Sequence, residues 1–323
     1  MLLDSVLDEN AIVNEAIMSE DSLTDALVEC MVGIEQAHGE MMLEQAKEEF
    51  KQYVNEGKIE PLAEGVIEKI KSVFAKIWAF IKKYFYKLKN FITGLHKNAY
   101  QYFSVNQEKI KENASKVTTF YGYEGLKNFS NIEKVNGNIR TGVNEFGKSI
   151  DIVDTKSDFS KKSNERFKAL KAKICADYET DGLASGIKRE VRGSDKETKF
   201  TYSFEEIKAI VGSKVPETKF ANLVKETEAI IKDLENKADA MARNAKDDDT
   251  VHNQTKANAI VEGAKIASNA CTVLTSMIKD VVSQANRFQR MAVGGKNDDE
   301  RKDESAEMND EDAKAYLESI GLA

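Results

Sequence analysis

From Ile67 the chain repeats apolar residues on a seven-residue period. One seam position holds Ile67, Phe74, Ile81, Leu88, Leu95 and Tyr102; the other holds Ile70, Ile77, Tyr84, Phe91, Asn98 and Val105. Eleven of these twelve are apolar or aromatic, which predicts one long helix over about 62–105. At ~1.5 Å per residue, the forty-odd residues of the pattern span about 60 Å. Trp78, Phe80, Phe85 and Ile92 widen the stripe beyond a two-position seam. A helix with so broad an apolar face is expected to pack against at least two neighbours. Gly57 breaks the chain before it, and Pro61 sits where a first-turn proline is tolerated.

Upstream, residues 1–56 read as helices with a break near Ser19–Ser22. Ser22 and Asp25 have the spacing of a capping box, with Asp in place of Glu. Leu23, Ala26, Leu27, Cys30, Ile34, Ala37 and Met41 then fall on one helical face. Residues 118–157 lose that spacing as Gly, Asn and Thr rise. VTTFYGYEG and GKSIDIVDT read there as short strands or hairpin edges. A short helix is predicted in SNERFKALKAKICADY, a strand in FTYSF (200–204), and another helix in EEIKAIVG.

Pro216 opens a second helical region, with Phe220, Leu223, Thr227, Ile230, Leu234, Met241 and Ala245 at helical spacing. KDDDT (246–250) reads as a polar turn in which Asp249 or Thr250 caps the next helix. Apolar spacing resumes at Val251 and runs to about Arg290, with alanine at many facing positions, so the pair is expected to form an antiparallel hairpin about 45–60 Å long. Gly294-Gly295 ends it. The residues beyond are polar and read as a disordered acidic tail, with AKAYLESIGL as a last short helix. The expected organisation is an N-terminal helical region (1–117), a small α+β or loop-rich connector (118–213), a helical hairpin (214–293) and the tail (294–323). The expected fold is mainly α: an elongated bundle with long antiparallel helices and that small insertion.

Composition supports helices. Two prolines and 32% charged residues in 323 do not fit a many-stranded sandwich. Charge is arranged in blocks. Residues 1–46 hold eleven acids and no base, Lys69–Lys97 holds eight lysines and no acid, and the last thirty residues hold ten acids against four bases. Such blocks mark complementary surfaces or interaction tails. The acid-rich start lacks the basic-then-apolar order of a secretory signal, and no window approaches eighteen apolar residues. The expectation is a protein neither secreted by a signal peptide nor spanning a membrane.

Catalytic and metal signatures fall short on spacing. Asp177, Glu179 and Asp181 alternate before Gly182 as in a calcium loop, but Lys188 stands where a bidentate Glu is needed. DDDTVHNQTKAN lacks the glycine and ends on Asn258. His38, His96 and His252 lie in separate segments and read as helix-surface residues; Cys30 and His38 are two helical turns apart without an orienting third group. The three cysteines, Cys30, Cys175 and Cys271, read as buried or half-buried unpaired thiols. No phosphate loop, dinucleotide fingerprint or nucleophile elbow occurs, and GLASG (182–186) puts its serine one place late. The chain therefore reads as a non-enzyme with no cofactor, no metal site and no small-molecule substrate.

The segment KIWAFIKKYFYKLKNFI (76–92) carries the candidate interaction residues: Lys76, Trp78, Lys82, Lys83, Tyr84, Tyr86, Lys87 and Lys89. Three readings are open. Its aromatic stripe forms a core while the lysines face water or the acidic N-terminal helices. Alternatively it lies on an anionic membrane, with Trp78, Tyr84 and Tyr86 at headgroup depth. In the third reading it tracks nucleic-acid phosphates, although it has no arginine, the better phosphate fork. An acidic start of the type LLDSVLDENAIVNEAIMSEDSL followed by KIKSVFAKIWAFIKKYFYKLK resembles virion structural proteins of large tailed bacteriophages, some of them internal head components. The resemblance covers about residues 1–130 and rests on composition and texture. It implies an α-rich, multi-copy protein located in the virion or the host cytoplasm. Its partners would be other virion proteins or copies of itself, with packaged DNA as a further partner of the basic helix.

Overall fold

The computed structural model describes residues 62–243 and 250–294. Of the residues described, 85% are helical and the only β structure is one two-stranded ribbon, which makes the fold mainly α. In chain order the elements are α1 (Leu62–Asn113), β1 (Phe120–Gly122), α2 (Ser130–Asp151), α3 (Lys156–Ile174), the single turn α4 (Tyr178–Asp181), α5 (Leu183–Arg192), β2 (Thr198–Phe200), α6 (Phe204–Val211), α7 (Val215–Arg243) and α8 (Thr250–Gly294). The expected helices of residues 1–56, the KDDDT turn up to Asp249 and the acidic tail lie outside the described residues.

α8 is the axis of the bundle. Every residue from Ala270 to Lys279 is buried, and so are most positions from Lys256 to Ala292. A helix apolar all round has to be enclosed, and α8 packs against α1, α2, α3, α5, α6 and α7. Two of its buried hydroxyls bond back to the helix: Thr275 Oγ1 donates to the Cys271 carbonyl at 2.6 Å and Ser276 Oγ to that of Val273 at 2.7 Å. Gly263 lets α2 approach, because a methyl there would lie 2.3 Å from Phe146 Cε1.

The stripe of α1 faces inward, against α7 and α8. Phe74, Ile77, Ile81, Tyr84, Phe85 and Leu88 are each at most 5% exposed. The two-seam register does not persist. Val105, a seam position by counting, is 84% exposed, while Ile92, Ala99, Phe103 and Ile110 are buried. A straight helix of 3.6 residues per turn drifts about 20° per heptad, so four heptads carry the seam from core to solvent. The helix also runs on beyond residue 105, to Asn113.

Three short-range expectations are corrected. GKSIDIVDT is not a strand, since α2 continues through Asp151. Ile132, Val135, Ile139, Val143, Phe146 and Ile150 recur at helical spacing and are buried, but Asn136, Gly142 and Gly147, buried with them, interrupt the apolar period. The helix expected from Ser163 starts at Lys156, where Thr155 Oγ1 accepts from the Asp158 N–H. The turn before it is pinned by Asp154, which takes both Lys162 and Arg166. The Arg166 hydrogen bond holds the Asp154 carboxyl below its ordinary value. The ribbon's first strand forms inside VTTFYGYEG, but its second, Thr198–Phe200, shares only Phe200 with the strand expected at FTYSF, because Ser203 caps the helix that opens at Phe204. Phe120 pairs with Phe200 and Gly122 with Thr198, antiparallel. After β2, Ser203 and Glu206 close a reciprocal capping box on α6.

Gly125, in the 3-10 turn Glu124–Leu126, is where the ribbon end meets α5. A Cβ on it would lie 2.2 Å from the Val191 carbonyl oxygen and 2.6 Å from the Arg192 backbone. Backbone cannot swing aside as a long side chain does, so the turn has to lift off α5. Gly125→Ala is expected to cost about 3 kcal/mol, the upper part of the overpacking range. Urea unfolding followed by far-UV circular dichroism measures it; an unchanged midpoint would mean that this close approach does not exist.

Candidate functional site

The eight candidate residues of the basic stretch divide between two faces of α1. Tyr84 is buried, and its hydroxyl donates to the Thr272 carbonyl of α8 at 3.4 Å. Trp78 is half-buried against the core, and its Nε1–H donates to Glu235 Oε2 of α7 at 3.2 Å. Lys76 and Lys87 are half-buried. Lys82, Lys83, Tyr86 and Lys89 are exposed, Tyr86 by 68%. The inward group joins helices. The outward group forms a surface.

That surface is longer than the segment 76–92. Residues at 3- and 4-residue spacing from Tyr86 share its side of the helix, and they include the exposed Lys71, Ala75, Ala79, Lys97 and Tyr100. Lys71 and Lys97 belong to the lysine block 69–97 but lie outside 76–92, and Tyr100 lies beyond both; the wheel angle of Tyr86 places all three on its face. From Lys71 to Lys97 the face covers about 39 Å and holds no acidic residue of α1. Small and aromatic residues form its middle line and lysines flank it. Both sides of the helix beneath are fixed in the core, so the side chains stand on a rigid rod.

His96 departs from expectation. It is 4% exposed, not on the surface, with Nδ1 3.1 Å from Glu217 Oε1 of α7. It lies in the stretch where the buried face has drifted past the counted seam. Cys175 and Cys271 are buried free thiols, as expected. Burial pushes Cys271 up to about 11 and raises Cys175 also, the opposite of an activated nucleophile. Cys30, His38 and the side chain of His252 are outside the described residues.

The calcium-like segment closes on an arginine. The Arg189 guanidinium meets Asp177 at 3.4 Å, Asp195 at 2.5 Å, and Asp181 as well. Those carboxylates share a cation built into the chain. Among the described residues no group of three or more His, Cys, Asp or Glu is placed to hold a metal ion. GLASG is a packing site: a methyl on Gly186 would lie 2.7 Å from Cys175 Sγ.

A groove of about 820 Å³ runs between α2 and α7, floored by Gly137, Thr141, Gly147 and Ala229. It is bridged by Arg140–Glu226 and flanked by Lys237–Asp151. Its lining carries charges of both signs, which gives it no sign preference for a ligand. Among the described residues no helix is long and apolar enough to cross a membrane. No protein family, curated protein or solved structure matches this chain.

Proposed function

We propose that the chain is a non-enzymatic structural or assembly protein, a component of a bacteriophage particle, that works by presenting the outer face of α1 to acidic surfaces. One observation carries the reading. α1 uses its apolar stripe on its own bundle and leaves outward a rigid run of lysines and tyrosines without an acid, 82–100 being its densest part. Lysine flanks with an aromatic middle favour an extended anionic partner over a compact ligand. The resemblance of residues 1–130 to virion proteins supports the setting, and the acidic blocks of further copies or of other virion proteins supply the partner chemistry. Exposed pairs contribute only ~0–1 kcal/mol each, so binding along this face has to be multiple and salt-sensitive.

Sedimentation of the full chain at low and high salt tests it. Oligomers or a defined complex with a particle protein are expected at low salt, weakened by Lys82, Lys83, Lys89 and Lys97→Gln together. A strict monomer that is absent from purified particles would remove the reading. A second reading, nucleic-acid packaging, draws on the same lysines. It predicts DNA retention that falls steeply with salt. Membrane-surface binding is less well supported, because Trp78 is engaged with Glu235 and the apolar stripe is spent inside. Flotation with anionic vesicles decides that point.

A further inference from the structure

We infer that the acidic segment 22–46 docks along the outer face of α1 in the same molecule and shields the lysine run from other anions. This rests on the reading of that face as the interaction surface and says what regulates it.

Three observations converge. The first is charge: residues 1–46 carry eleven acids and no base, whereas the outer face between Lys71 and Lys97 carries lysines and no acid of its own helix. The second is shape. The face has a middle line of Ala75, Ala79, Tyr86 and Tyr100, with Tyr86 68% and Tyr100 46% exposed. Apolar positions of 22–46 such as Leu23, Ile34 and Met41 fall on one helical side, with Glu29, Glu40 and Glu44 beside them. An apolar strip edged by acids complements an apolar strip edged by lysines. The third is length. As a helix, 22–46 spans about 37 Å, against about 39 Å from Lys71 to Lys97. The fifteen residues 47–61 reach up to about 50 Å when extended, enough to turn the segment back antiparallel along α1.

The competing occupant within the chain is the acidic tail. It leaves α8 close to the far end of the face, where Gln289 donates to the Ala99 carbonyl and Arg290 lies over the Tyr102 ring. The N-terminal segment is favoured because it holds no base and has an apolar side, whereas the last thirty residues carry four bases among ten acids.

Carbodiimide cross-linking of the full chain tests this, using an equal mixture of copies of normal and heavy nitrogen isotope. Expected are links from Lys82, Lys83, Lys89 or Lys97 to acids of 22–46, joining peptides of one isotope only. They should fall about tenfold in 1 M salt, where the screening length is about 3 Å. Links of mixed isotope would overturn shielding within one molecule, while leaving assembly between copies intact. Links to the tail, or none, would also overturn it. Links of one isotope in a strict monomer absent from particles would uphold the docking and remove the assembly role. Hydrogen exchange gives an independent arm: Lys82→Glu with Lys89→Glu should expose 22–46 several-fold, and adding Glu29→Lys with Glu40→Lys should restore its protection. If the added lysines restore nothing, the segment does not lie on this face.

Discussion

Phe288→Ala is expected to destabilise the chain by about 3–5 kcal/mol, more than the loss of any other single side chain in its ring cluster. Phe288 is fully buried on α8. Its ring meets Phe120 edge-on at 5.3 Å and Tyr202 at 5.1 Å, and Phe120 in turn meets Phe200 at 5.3 Å. These rings join the ribbon to the central helix. The cavity left by alanine cannot collapse easily, because the walls are tied from behind. Arg287 donates to the Tyr121 carbonyl and covers Phe120 at 4.7 Å, while Tyr202 donates to the Leu126 carbonyl at 3.4 Å. Rigid walls place the cost in the upper part of the range. Phe288→Leu keeps most of the volume and should cost under ~1.5 kcal/mol.

The measurement has a built-in second probe. Trp78 is the only tryptophan and sits where α1 meets α7, so its fluorescence reports that contact while circular dichroism reports helix as a whole. Coincident urea transitions are expected, because α8 touches both the ring cluster and the α1–α7 layer. A loss below 1 kcal/mol for Phe288→Ala would mean that the rings do not form a packed unit.

The parts of this fold that are readable from sequence are those set by long periodic patterns. The inward stripe of α1 and the second helical region announce themselves through dozens of residues. The basic face follows from the same pattern, since whatever a stripe excludes must look outward. The hidden parts depend on partners far away in the chain. His96 carries no sign that Glu217 will stand beside it. α2 looks irregular because Gly and Asn stand on its buried side as well as its open one: Asn136, Gly142 and Gly147 are buried among its apolar residues, while Gly137 lines the groove. The demand at Gly125 comes from the backbone of Val191 and Arg192, which no local rule connects to it. Asp177, Glu179 and Asp181 suggest an ion because spacing is visible along the chain, whereas Arg189 closing back on Asp177 and Asp181 is visible only in three dimensions.

Gln284 is the same kind of hidden determinant, and its replacement should have the second-largest effect. On α8 it acts as a third strand for one residue: Oε1 accepts from the Tyr123 N–H at 2.8 Å and Nε2 donates to the Tyr123 carbonyl at 2.9 Å. Nε2 also donates to the Tyr202 hydroxyl at 2.8 Å. Gly122 leaves the room, since a methyl there would lie 2.6 Å from Oε1. Gln284→Met keeps the shape and orphans these groups. Each orphan costs about 1–3 kcal/mol, but half-buried Tyr123 recovers part from water, so about 2–4 kcal/mol is expected in urea unfolding. Gln284→Glu separates hydrogen bonding from volume. A carboxylate there would face the Tyr123 carbonyl in a buried site, so its folded pKa is raised above the unfolded value of about 4.3. The stabilising form is the protonated one, which donates as the amide did. Its contribution is present below the unfolded pKa and is lost as pH rises through the folded one. Gln284→Glu should therefore lie closer to the parent protein at pH 4 than at pH 7. An equal gap at both would show that this side chain meets water and not the ribbon.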